Sequence, residues 1–131
     1  MGLDMYLYGS KDEYKQFDYN IGHRVVREEI GYWRKANQIH HWFVENIQNG
    51  IDNCAEYYVG RENLTELKNI CEEVLENHSL AETLLPSQEG FFFGETDYDE
   101  YYFQDLENTI QICNWALSHS NYDYFTYESS W

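Results

Sequence analysis

The sequence predicts a single small α+β domain, with about three helices packed on a minimal antiparallel sheet formed by the N- and C-terminal strands. Three observations point to it. A chain of 131 residues is long enough for one ordinary core and too short for two. Residues 3–8, Leu-Asp-Met-Tyr-Leu-Tyr, alternate without a breaker, and residues 122–127 are aromatic and β-prone, so both read as strands. Between them lie three stretches in which apolar residues recur at helical spacing.

Taken in order, the first strand gives way to residues 9–22, which are polar, carry Gly9 and Gly22, and read as a loop. Residues 29–48 then read as the clearest long helix: Tyr32, Ala36, Ile39, Phe43 and Ile47 form one stripe, and Asn49-Gly50 supplies the stop. Residues 55–59 are short and aromatic, a strand or an extended connection. A second helix spans 61–77. Leu64, Leu67, Cys71 and Val74 lie on its inner stripe, Glu62, Glu66, Glu72, Glu73 and Glu76 on its outer one. The connector 78–94 holds the only proline, Pro86, and ends in Gly-Phe-Phe-Phe-Gly, either a short buried strand or an aromatic hook at a pocket edge. Thr96 or Asp97 is placed to cap a third helix, which runs to Leu117 with Phe103, Leu106, Ile110, Cys113 and Leu117 inside. Strand 122–127 pairs with the first, bringing the termini together. No internal repeat or second domain is evident.

Composition narrows function. The 13 Tyr, 7 Phe and 4 Trp suit a core whose edges reach water, and equally a recognition surface. There are 24 acids against 8 bases, a formal charge of −16. Residues 1–60 carry six bases against nine acids, residues 61–131 two against fifteen, and no base follows Lys68. Such a half-molecule repels nucleic acid and anionic membranes and attracts basic surfaces. Direct nucleic-acid binding is excluded on these grounds. Docking on a basic partner, nucleic-acid mimicry and plain solubility remain.

Cys54, Cys71 and Cys113 are odd in number and form no C-x-x-C pair, against a disulfide framework or a zinc ribbon. The N-terminus lacks a basic start with an apolar run, no stretch reaches a membrane span, and Tyr6 stands where a myristoylation motif wants Ser or Thr. A cytoplasmic location with reduced thiols is expected.

The densest polar-aromatic cluster is residues 32–42. On a helix Trp33, Asn37 and His40 would share one face, as an internal hydrogen-bond network or as the floor of a pocket. Arg34 and Lys35 would meet an anionic ligand or pair with the acidic half. No metal site or cofactor is expected. His40 and His41 point apart on a helix, and Glu95, Asp97, Asp99 and Glu100 begin like a calcium loop but lack its glycine and terminal glutamate. No catalytic motif is present. The one acid–base pairing left open joins His40 to Glu56 or Asp99, as in a small hydrolase.

Three stretches, MGLDMYLY at the start, GYWRKANQIHHWFVENIQNGIDNCAEYYV at 31–59 and LLPSQEGFFFGETDYDEYYFQDLENTIQI at 84–112, resemble a family of small, functionally uncharacterised proteins encoded by phages and by bacterial genomes as prophage genes. Some members carry a phosphoglycerate kinase label. This chain is far too short for that activity and lacks its nucleotide-binding elements. The resemblance covers more than half of the chain, and residues 9–28 and 77–83 fall outside it. It implies a place in a bacterial host's cytoplasm and a role against host defence. In one version an acidic surface including Glu95, Asp97, Asp99, Glu100, Asp105 and Glu107 covers a basic host protein. In the other, matched residues Trp33, Arg34, Asn37, His40, Tyr57, Tyr58, Phe92, Tyr98 and Tyr101 form an aromatic pocket that sequesters a small anionic or planar ligand such as a signalling nucleotide. Self-association stays open.

Overall fold

Alternation at the N-terminus builds the centre of the sheet. Leu3, Met5 and Leu7 are fully buried, whereas Asp4, Tyr6 and Tyr8 between them are half-buried on the opposite face. The computed structural model describes residues 2–17, 20–90, 93–119 and 121–131. Their elements are β1 (Asp4–Phe17), β2 (Asn20–Arg34), α1 (Asn37–Asn46), β3 (Tyr57–Val59), α2 (Arg61–Glu76), a 3-10 turn (His78–Leu80), α3 (Ala81–Leu84), α4 (Glu100–Ser118) and β4 (Tyr124–Ser130). The strands form one antiparallel sheet in the order β2-β1-β4-β3. This is the α+β class the sequence predicts, and the terminal strands do pair, from Asp4 opposite Ser130 to Ser10 opposite Tyr124.

Two expectations for the N-terminal part of the chain are corrected. Residues 9–22 are no loop: β1 runs on to Phe17 and returns as β2, with Lys15 opposite Gly22. Both faces of this outer ribbon meet water, so it shows no apolar alternation. Its order comes from cross-strand polar pairs: Arg24 with Glu13 at 2.7 Å, His23 with Asp12 at 3.0 Å, and Tyr14 stacked on His23. Gly9 lies inside the strand because Tyr122 packs over it, and a Cβ there would sit 2.7 Å from the ring.

The predicted helix 29–48 is the second correction. Its first six residues belong to β2, Lys35 turns the chain at φ 56°, and the helix begins only at Asn37. A bulge hides the strand's own period. Leu7 faces Gly31 and Tyr8 faces Glu29, so Ile30 is an extra residue that flips the strand's alternation midway. The helix ends at Asn46, two residues before the predicted end, and Asn49 and Gly50, with φ of 54° and 78°, close the turn that follows, Gly50 N–H donating to Val44 O.

α2 buries Leu64, Leu67, Cys71 and Val74, as their spacing requires. α4 is capped by Asp99, not by Thr96 or Asp97, and its buried face is Tyr102, Leu106, Thr109, Ile112, Cys113 and Ala116. Phe103, Ile110 and Leu117 are only half-buried. The helix is rotated because Ile112 closes onto Gly31, where a Cβ would be 2.5 Å from its Cγ2. Arg61 fastens α2 to α4, donating to His119 O at 3.1 Å beyond the carbonyl end of that helix. One apolar cluster joins these helices to the inner face of the sheet, with Phe43 stacked on Tyr127 at 3.8 Å. No helix among the described residues is long and apolar enough to cross a membrane.

Candidate functional site

α1 is buried on nearly every side: Asn37, Gln38, Ile39, His40, Trp42, Phe43 and Val44 are all inside. Its polar residues therefore need internal partners. Asn37 Nδ2 donates to Phe93 O and Glu95 O, while its Oδ1 accepts from Gln88 N–H, so one side chain ties down both ends of the 88–95 segment. Trp33 sits at the end of β2 instead. It is 2% exposed and donates from Nε1 to Thr109 Oγ1 at 2.8 Å. Trp33, Asn37 and His40 thus fill three separate places in the interior rather than one pocket floor.

His40 is fully enclosed, between Tyr127 Oη at 2.6 Å from Nδ1 and Asp52 Oδ1 at 2.9 Å from Nε2. Burial lowers its pKa, outweighing the carboxylate beside it. The ring is accordingly neutral, donating through Nε2–H to Asp52 and accepting the Tyr127 hydroxyl proton at Nδ1. Burial also pushes the Tyr127 hydroxyl far up. Trp131 Nε1 donates to the same Asp52 oxygen, and the ring of Phe93 meets His40 edge-on. Tyrosine, histidine and aspartate in a row have the order of a proton relay, but no face of the imidazole is open to a substrate. Asp52 and Tyr127 escaped the sequence reading. Tyr127 offered one signal, an inward position on β4 whose hydroxyl had to find a partner.

The open polar chemistry lies at the very start of α1, where Asn37 and Gln38 face the beginning of α4. A groove of about 420 Å³ is walled by Arg34 and Lys35, by Asn37 and Gln38, by the 94–99 segment, and by the first turns of α4. It gathers Glu95, Asp97, Asp99 and Asp105, with exposed Tyr101 at its lip. Asp99 spends one oxygen on the helix cap, accepting from Tyr101 N–H and Tyr102 N–H at 3.1 Å. Asp105 accepts from Gln38 Nε2 at 3.2 Å, and burial raises its carboxyl to about 6. One oxygen each of Glu95, Asp97 and Asp99 lies within 4.8 Å of the others. These are hard oxygen ligands of the kind divalent cations take, but three carboxylates leave half or more of such a shell to be filled. The arrangement suits a basic side chain at least as well: a guanidinium or ammonium entering it meets several carboxylates at once.

The remaining site residues lie apart. Arg34 pairs with Asp4 at 3.0 Å. Tyr98 accepts from Ser87 N–H at 3.2 Å. Tyr58 is 75% exposed on the outer face of the sheet, 5.5 Å from Tyr124. Glu100 and Glu107 are exposed along α4, and Phe92 lies outside the described residues. The expected aromatic pocket around Trp33, Arg34 and His40 is therefore not assembled, since neighbouring strand residues Trp33 and Arg34 point to opposite faces. A hollow of about 700 Å³ lies along the outer ribbon between residues 11–15 and 22–24. It is an open strand surface, whereas the groove gathers side chains from three parts of the chain. Cys71 and Cys113 are core residues whose thiols burial pushes up, Cys113 to about 12. That removes both as nucleophiles.

Comparison of the chain with protein-family models, with curated proteins and with solved structures finds no match.

Proposed function

We propose that this chain is a non-catalytic interaction protein that docks an acidic face on a basic partner protein. The segregation of charge carries the reading. Residues 1–35, which contain the β1–β2 hairpin, hold six bases and six acids, so the formal charge of −16 resides entirely on residues 36–131. On that side α2 and α4 expose Glu62, Glu66, Glu72, Glu73, Glu76, Glu100 and Glu107. Of its two bases, Arg61 is turned to the carbonyls of Ala116, Leu117 and His119 at the end of α4, and Lys68 faces Glu72 at 3.7 Å. The groove at the start of α4 adds a recess into which a basic side chain fits. The field steers a cationic partner, and the recess supplies the specific contact. In the setting implied by the resemblance to phage-encoded proteins, the partner is a basic host protein, such as a defence or nucleic-acid enzyme. The enclosure of His40 supports the absence of catalysis there.

Affinity capture from a bacterial lysate at low salt tests the proposal, with wild type beside a Glu95→Gln/Asp97→Asn/Glu100→Gln/Glu107→Gln variant. A basic protein retained by wild type, released as salt rises and lost from the variant is the expected result. Equal retention by both proteins, or retention indifferent to salt, would overturn it.

A further inference from the structure

The two edges of the sheet are treated unequally. β3 closes one with three residues, while the other is β2, fifteen residues long and without proline. Native sheets keep exposed edges short, interrupted or covered, because unpaired backbone groups recruit another strand. Beyond the Ser10–Tyr124 pair, moreover, β1 and β2 continue as a ribbon of only two strands. Two strands alone are marginal in water, and this ribbon exposes Tyr14, Ile21 and Val25 by 68%, 72% and 48%. It is also part of the charge-balanced segment of a protein whose remainder carries −16. Two copies can meet here with far less repulsion than across their helical faces.

We propose that β2 pairs antiparallel with β2 of a second copy, about a two-fold axis at Val26, to make one continuous eight-stranded sheet. The sequence of the edge is self-complementary in that register. Val26 faces the partner's Val26, Arg24 faces the partner's Glu28, His23 faces the partner's Glu29, and Val25 faces the partner's Arg27. Each pair joins residues on the same face, as a continuous sheet demands. Moving the axis one residue toward the N-terminus sets His23 opposite Arg27, and one residue the other way sets Arg27 opposite itself. The bulge at Ile30 ends the pairing on each side. Residues 23–25 of each ribbon thereby gain, from the partner's residues 27–29, the third strand that β4 does not extend far enough to give.

Sedimentation equilibrium of the full chain tests this, with the fold of each variant checked by circular dichroism. A concentration-dependent species of twice the 15.8 kDa chain mass is expected. Glu29→Lys and His23→Glu should each weaken it about tenfold, because each change acts twice across the axis, and the double swap should restore it. A monomer at every concentration, a larger open assembly, or a dimer indifferent to Glu29→Lys would overturn the proposal. If His23→Glu fails to fold, hydrogen exchange on wild type decides. Amides of residues 23–29 should become protected as concentration rises, and protection independent of concentration would overturn the pairing.

Discussion

His40 and Asp105 are both titratable groups drawn partly or wholly out of water, yet the protein handles them in opposite ways. His40 is sealed between Tyr127 and Asp52, both of its ring nitrogens bonded. Asp105 sits in an open groove with Asp99 nearby, and among the described residues Gln38 is its one side-chain donor. The first arrangement satisfies a polar group so that the core can close over it. The second leaves a carboxyl partly desolvated where a visitor can reach it. Solvent access, not the identity of the titratable groups, separates a structural network from a binding surface in this chain.

His40→Ala should break that comparison most severely. It leaves the buried Tyr127 hydroxyl without an acceptor and opens a cavity beside Tyr127 and Phe93. A loss of about 3 kcal/mol in denaturant unfolding is expected, and a loss below about 1 kcal/mol would mean the cluster contributes little to the fold. The pH dependence has a definite sign. The folded-state pKa of His40 lies below the unfolded value, so the native state binds fewer protons. Its stabilising contribution is complete above about 6.5 and declines as pH falls below that.

Asp105 has the opposite sign. Its folded pKa, about 6, lies above the ordinary carboxyl value of 3.8, so the native state holds the proton more tightly. The contribution is favourable in acid and is lost as pH rises through about 6. Asp105→Asn should therefore stabilise the protein above that pH, by roughly 1 kcal/mol once screening in the open groove is allowed for. Thermal melts of both proteins across the acid and neutral range check this. Curves that stay parallel would place Asp105 in ordinary solvent.

The difference between these sites also marks what the sequence makes legible. α2 was readable because a one-sided helix shows its buried stripe as a period, and the 122–127 strand because its aromatic run had β1 to pair with. The β1–β2 ribbon was not: with water on both faces, its order lies in pairings such as Glu13 with Arg24, eleven residues apart. The bulge at Ile30 then interrupted the strand's alternation, and Tyr32, a strand residue four before Ala36, falls by coincidence in line with the true stripe of α1. At the site, residues 95, 97, 99 and 105 were legible as an acidic surface because they are close in sequence. The enclosure of His40 was not, since Asp52 lies twelve residues from it and Tyr127 eighty-seven.

Asp99 belongs to both worlds, and separating its two roles sharpens the comparison at the smallest energies. Its carboxylate caps α4 through two backbone amides and adds negative charge to the groove. Asp99→Ala removes both and should cost about 1 kcal/mol in unfolding experiments. Asp99→Asn keeps an oxygen for the cap and discards the charge, so its stability should stay within a few tenths of a kcal/mol of wild type. Binding of a basic partner should nevertheless weaken as much in Asn as in Ala, because the partner responds to the missing charge while the helix responds to the missing acceptor. If the Asn variant binds like wild type, Asp99 serves the helix alone, and the acidic recess reduces to Glu95, Asp97 and Asp105.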